Sequence, residues 1–207
     1  MEHYWQNLAG QNWFSGAGVY RSQVRRAGQR ATFVELGCWK GRSTAFMGVE
    51  IVNSRKAIEF WAVDHWKGSD EKAQHDDEDV AAGRLFDVFK ANIEPVKHVV
   101  NILECDSAEA ATHFGDASVD FVYVDASHTY EAVKRELQAW WPKLKPGAVL
   151  AGDDWLMQEP SGAWGIQQAV NEFAREHLLR FEVFPGEPNK YWPQWQLVRS
   201  WQVRGGD

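Results

Sequence analysis

The chain has 207 residues, enough for one sizeable core, and its 44% hydrophobic and 25% charged residues are those of an ordinary globular protein. A net charge of −7 argues against a large nucleic-acid footprint, which clustered Lys and Arg would have to supply. No apolar run approaches the roughly 18 residues of a membrane-spanning helix, no signal peptide is read, and two cysteines (Cys38, Cys105) make no disulfide framework, so a soluble cytoplasmic protein is expected.

Tryptophan is the compositional oddity, at 12 residues. Most should be packing residues with one polar handle, and the remainder suit flat walls for a planar or sugar-like ligand. Residues 1–30 scatter Trp5, Leu8, Trp13, Phe14, Val19, Tyr20 and Val24 among Gln, Asn, Ser and Gly. That pattern supports one or two short helices, a cap or edge segment to a single domain over residues 1–207.

From residue 32 the character changes. Thr32–Leu36 reads as a strand, Gly37–Gly41 as a turn, and Ser43 to about Val52 as the following helix. Gly37 lets the backbone turn, and Gly41 lets a ligand approach the helix start, whose free N–H groups favour negative charge. Glu59–Val63 is the next strand. Asp64 follows it about twenty residues beyond the glycines, where a nucleotide-binding α/β fold places a carboxylate to accept ribose hydroxyls. His65 and Trp66 come next, and Trp66 is placed to stack on adenine or roof a pocket.

Lys67–Asp79 is polar and highly charged, a solvated loop positioned to act as a lid. His75-Asp76-Asp77 within it is too local to converge on one ion. A helix is expected over Val80–Ile93, with Leu85, Val88, Phe89 and Ile93 on one face and Pro95 ending it. Val99–Leu103 is the third strand, and Asp106 with Ser107 suits the cap of a short helix from about Ala108.

The most informative stretch runs from Asp120 to Trp155, DFVYVDASHTYEAVKRELQAWWPKLKPGAVLAGDDW. The apolar run Phe121–Val124 ends on Asp125, as a buried parallel strand would. Val133, Leu137, Trp140, Trp141 and Leu144 make one helix face, with Lys145-Pro146-Gly147 as its stop. Ala148–Ala151 is the next strand and leads to Gly152-Asp153-Asp154. A strand-helix-strand unit would thus deliver Asp125, Asp153 and Asp154 to one sheet edge, where ligands of open α/β sheets bind. Three carboxylates suit Mg²⁺, Mn²⁺ or Ca²⁺, with Mg²⁺ the expected ion. His128, three residues after Asp125, is placed as a proton acceptor with an ordinary pKa of ~6.5. A loop over Trp155–Gly165 borders the site, a helix covers Ile166–Leu179, and Arg180–Phe184 with Gln194–Trp201 are strands flanking the turn PGEPNKYWP. The count is seven strands with helices between the first five.

This order resembles that of class I S-adenosylmethionine (SAM) methyltransferases over about residues 30–203. Glu35-x-Gly37-x-x-x-Gly41 is similar to their first motif, and VDASHTYEAVKRELQAWWPKLKPGAVLAGDDW to the branch of metal-dependent small-molecule and sugar O-methyltransferases. Ala148 replaces the usual second glycine of KPGG. The resemblance implies a Rossmann-like, doubly wound, seven-stranded sheet, mostly parallel with antiparallel closure. It also implies a SAM site at Glu35, Gly37, Gly41, Ser43, Asp64, His65, Asp106, Ser107 and Asp125, with Asp106 and Ser107 against adenine. The metal would be held by Asp125, Asp153 and Asp154, and catalysis would rest on His128 and Asp125. The acceptor would be a small-molecule hydroxyl, of a sugar, a catechol or a polyketide-like alcohol, with Trp39, Trp66, Trp155 and Trp164 as candidate walls. No nucleic-acid or membrane partner is expected, and a homo-oligomer stays open. Two alternatives remain. An NAD-dependent oxidoreductase is disfavoured by the missing third glycine and the acid pair on the fifth strand, and a non-catalytic SAM- or metal-binding protein would have no need of His128.

Overall fold

The structure is a computed structural model that describes residues 1–8, 13–69, 72–184 and 193–199. Seven strands form one sheet: β1 (Thr32–Leu36), β2 (Glu59–Asp64), β3 (Val100–Glu104), β4 (Val119–Val124), β5 (Leu144–Gly152), β6 (Phe181–Phe184) and β7 (Gln194–Val198). Their spatial order is β3-β2-β1-β4-β5-β7-β6. The first five are parallel, and β7 enters antiparallel between β5 and β6. The helices are α1 (Ala17–Arg26), α2 (Arg42–Ser54), α3 (Lys72–His75), α4 (Glu78–Ala81), α5 (Leu85–Ile93), α6 (Tyr130–Trp140) and α7 (Gly165–Glu176).

Both sheet faces are covered, which is why Phe121–Val124 of β4 is a continuous apolar run rather than an alternating one. On one face Leu36, Val122, Val124 and Leu150 pack with Leu137 and Trp140 of α6 and with Val170 and Phe173 of α7. On the other, Phe33, Phe121, Tyr123 and Val149 meet Tyr20 and Val24 of α1 and Phe46 of α2. A third cluster seats α5 through Phe89 and Ile93 against Ala62 and Val49.

The register brings the carboxyl ends of the central strands into line. Val63 pairs with Leu36, Leu36 with Val124, and Val124 with Gly152. Pairing continues one step beyond the strands: Gly37 N–H donates to the Val63 carbonyl (2.9 Å), Asp125 N–H to Leu36 (2.9 Å) and Asp153 N–H to Val124 (3.2 Å). The residues that follow β1, β2, β4 and β5 therefore share one edge, at the point where the chain reverses its direction of winding between β1 and β4.

Several expectations are corrected. The helix expected over Val80–Ile93 is two helices, because Gly83 turns with φ 64° between α4 and α5. The acidic segment expected to be a loop holds α3 and α4, while residues 70 and 71 lie outside the described residues. Lys145-Pro146-Gly147 does not stop α6. That helix ends at Trp140, since Pro142 has no N–H to continue the ladder, and Leu144 is buried by pairing with Val119 at the start of β5. The turn placed at PGEPNKYWP lies outside the described residues except Pro193, as does the end of the last expected strand beyond 199.

Candidate active site

At the β1 end, Glu35 is 1% exposed and accepts from the Tyr20 hydroxyl (2.9 Å) and the Thr44 hydroxyl (2.6 Å). Burial pushes its carboxyl up, and hydrogen bonds from Ser43, Thr44 and Tyr20 pull it back. Gly37 has φ 82°, and a Cβ there would lie 2.1 Å from the Asp125 carbonyl oxygen. Its bareness lets the β1 turn touch the β4 turn. Gly41 also has positive φ, but a Cβ would meet Phe89 and Ile93 at 2.9 Å. The bare Gly41 thus also makes room for α5.

Asp64 faces the same turn. One oxygen accepts from the N–H groups of Cys38 (2.8 Å) and Trp39 (2.9 Å), the other from Trp66 N–H (2.7 Å). Trp39 and Trp66 have φ of 47° and 49°, a left-handed conformation that costs a bulky residue about 1 kcal/mol, and the Asp64 carboxylate holds both. His65 stands beside it with Nδ1 3.9 Å from Asp64. Trp66 does not roof a pocket. It is 6% exposed, packs on Phe86 and Phe89 with ring centroids 4.6 and 4.7 Å away, and donates its indole N–H to the Trp39 carbonyl.

The expected lid is tied to this turn. Lys40 is 5% exposed and reaches Asp77 at 2.7 Å and Asp79 at 2.6 Å. At the β3 end, Asp106 caps the following turn through the N–H groups of Ala108 and Glu109 and pairs with Arg135 at 2.8 Å. Ser107 donates to Glu136, which is 1% exposed and held up to about 7 by burial, and its carbonyl accepts the Trp140 indole N–H (2.8 Å).

The β4 and β5 ends carry the reactive grouping. His128 Nε2 lies 2.9 Å from Asp154 and 4.0 Å from Asp125, and one donor atom from each of the three falls within 4.8 Å of the others. Burial, then the like charges of Asp153 and Asp154, push the Asp125 carboxyl well above the usual range, while His128 opposes them. Asp153 is not part of this trio. Its oxygens accept from the Ser15 hydroxyl at 2.7 and 2.5 Å and from the Gln194 amide at 3.3 Å. Burial, then Asp154, raise it to about 6. The structure thus brings His128, rather than Asp153, together with Asp125 and Asp154. The φ of 55° at Asp154 sends consecutive acids different ways.

Sequence reasoning missed Ser15, Tyr20 and Gln194. Ser15 lies 138 positions from Asp153 and Gln194 lies 179 from Ser15, and no local pattern marks contacts of such span. The loop after β5 borders the site as expected, with Glu159 accepting from Tyr130 N–H (2.6 Å) at the start of α6. Its tryptophans do not form a wall: Trp155 packs on Phe181 with centroids 5.5 Å apart, and Trp164 is 42% exposed.

A family model described as a methyltransferase domain matches residues 34–155, from β1 through the paired acids after β5. No curated protein matches the sequence. Among solved structures, a cofactor-bound protein from MTB, Rv0187, superposes with a TM-score of 0.66 at 14% identity, covering 95% of this chain and 86% of that one. A SAM-dependent O-methyltransferase from Thermotoga maritima gives 0.65 at 12%, covering 94% and 69%. CalS11, a TDP-rhamnose 3′-O-methyltransferase of calicheamicin biosynthesis, gives 0.58 at 18%, covering 90% and 77%. At these identities the likeness is one of fold.

Proposed function

The chain belongs to the class I SAM-dependent methyltransferases, and from that premise we propose that it transfers the SAM methyl group to a hydroxyl of a small molecule. The observation that carries the proposal is the Asp125–His128–Asp154 grouping on the edge that also bears the glycine turn and Asp64. A sulfonium methyl needs little beyond in-line positioning, so the chemistry an O-methyltransferase must supply is removal of the acceptor's proton.

In this reading Glu35, Gly37, Gly41, Ser43, Asp64, His65, Asp106, Ser107 and Asp125 shape the SAM site. For several the contribution is indirect. Glu35 locks Tyr20 and Thr44 against the turn, and Asp106 holds the β3 turn in shape beside Ser107. A ribose hydroxyl at Asp64 would join a carboxylate already organised by three backbone amides.

Two carboxylates and an imidazole are donors that fit a divalent cation, with Mn²⁺ suiting the nitrogen better than Mg²⁺. Asp125, His128 and Asp154 would hold it, and Asp153 would steady the neighbouring backbone by accepting the Asp154 N–H (2.9 Å). Such an ion lowers the pKa of a hydroxyl beside it. Two duties compete for His128: ligand, or proton acceptor with Asp154 stabilising the charged ring.

Chelation separates them. In an assay with a hydroxyl acceptor and SAM, loss of turnover on dialysis against EDTA, with recovery on Mn²⁺, makes His128 a ligand. Turnover that survives EDTA but falls with His128→Ala, with the loss relative to the parent largest at the alkaline end of the pH profile where an imidazole base is unprotonated, makes it the base. S-adenosylhomocysteine raising the melting temperature supports the cofactor assignment, and stabilisation by NAD instead refutes it.

A further inference from the structure

Three side chains of α6 grip the turn after β3. Arg135 pairs with Asp106 at 2.8 Å, Glu136 accepts from the Ser107 hydroxyl, and the Trp140 indole N–H donates to the Ser107 carbonyl (2.8 Å). The same turn sits against the acid that ends β2, since Cys105 N–H donates to the Asp64 carbonyl (3.1 Å). A ribose held at Asp64, with the glycine turn on its β1 side, leaves its base to lie over the next strand end outward, one strand spacing of about 4.8 Å away. That strand is β3, and the residues waiting there are Asp106 and Ser107.

As a packing residue Glu136 is a poor choice. It is 1% exposed, its second oxygen is buried with no hydrogen-bond partner among the described residues, and its neighbour Arg135 is turned to Asp106 instead. A buried carboxyl with an orphaned oxygen costs stability that an apolar side chain of similar size would not. What Glu136 does provide is a destination for one hydrogen. The Ser107 hydroxyl has a single hydrogen, and with that hydrogen directed at Glu136 the Ser107 oxygen presents only lone pairs to anything else. Asp106 is committed differently, with one oxygen on the N–H groups of Ala108 and Glu109 and the other on Arg135.

We propose that Glu136 is a positioning residue for base recognition: by holding the hydroxyl hydrogen it makes Ser107 an obligate acceptor, which selects a purine with a 6-amino group over one with a 6-oxo group. The inference rests on the reading of Asp64 and Ser107 as SAM-site residues. An exocyclic amine donates to the Ser107 oxygen, whereas a 6-oxo group sets lone pairs against lone pairs. A site built for one sense of hydrogen bond rejects the opposite sense more strongly than it rejects a change of size. Glu136 acts only through Ser107, its own side chain being buried.

The full chain is titrated calorimetrically with S-adenosylhomocysteine and with S-inosylhomocysteine, in which a 6-oxo group replaces the 6-amino group. The parent should bind the adenosyl compound about 30-fold more tightly. Ser107→Ala should narrow that ratio by about tenfold through weaker binding of the adenosyl compound. Glu136→Leu should narrow it by about tenfold from the other side, because the released hydroxyl can turn and donate to the 6-oxo group. Urea unfolding, followed in parallel, separates positioning from support. Glu136→Leu should match or exceed the parent's midpoint, since it removes a buried carboxyl, whereas loss of a mere brace would lower the midpoint and leave the ratio alone. A parent that binds both compounds equally overturns the inference and leaves the methyltransferase reading standing, as does a folded Glu136→Leu that keeps the parent's ratio. Should Glu136→Leu fail to fold, Ser107→Ala decides: a narrowed ratio supports the inference and an unchanged one overturns it. Absence of S-adenosylhomocysteine binding to the parent is a different failure, which removes the methyltransferase reading and the inference with it.

Discussion

The carboxylates at the two ends of the site are held in opposite ways. At the β1 and β2 ends, Glu35 and Asp64 are surrounded by donors: two hydroxyls on one and three backbone N–H groups on the other. At the β4 and β5 ends, Asp125 and Asp154 are set against each other and against Asp153, with one imidazole to offset them. The first pair are as much architecture as site. The second are an excess of negative charge that the chain balances only in part, which suits a proton or a cation arriving from outside. A group that shapes a turn adds to stability, whereas a group reserved for chemistry is held ready at a cost to the fold.

The sharpest way to break the contrast is Gly37→Ala, because both halves meet there. A Cβ 2.1 Å from the Asp125 carbonyl, at a φ of 82°, should cost about 4 kcal/mol or more, read as a collapse of the urea midpoint. Asp64→Ala should cost about 3 kcal/mol by orphaning three N–H groups and should weaken S-adenosylhomocysteine binding at the same time. Asp154→Asn should do the reverse, cutting turnover by about 100-fold while leaving the melting temperature unchanged or higher, since it removes a like charge from Asp125 and Asp153.

Glu136 lies between the halves, beneath Ser107. Its carboxyl sits near 7 in the folded protein against an ordinary 4.5, so the folded state keeps a proton that the unfolded state releases. Its contribution to stability is full below pH 4.5, declines as pH rises through that window, and is flat above about pH 7. Glu136→Gln removes the titration and should therefore gain on the parent by about 2.5 kcal/mol between pH 5 and pH 8 in urea unfolding. The smallest effect belongs to Trp164→Ala. At 42% exposure, outside either half, it should shift stability by no more than about 0.5 kcal/mol and leave turnover alone.

Much of the frame is visible along the chain. Phe121–Val124 ending on Asp125, and Glu59–Val63 ending on Asp64, are apolar runs long enough to mark buried parallel strands, and each acid's place follows from the strand it ends. Boundaries that depend on a neighbour are less legible. Leu144 satisfies a helical period equally well, and only its pairing with Val119 assigns it to β5. The aromatic residues are the least legible. Trp66 and Trp155 are as large and as well placed in sequence as any ligand wall, yet Trp66 fills the core and Trp155 packs on Phe181 at its margin.

The order of apolar runs, glycines and acids by itself determined the doubly wound sheet and the edge on which Asp64, Asp125 and Asp154 gather, because strand period and turn chemistry are local properties of the chain. Only the tertiary structure decided which acids act together. Asp153 and Asp154 are neighbours in sequence, but the left-handed backbone at Asp154 sends one carboxylate to Ser15 and Gln194 and the other to His128. Those partners come from distant parts of the chain, and side-chain direction at a strand end is set by whatever packs around it.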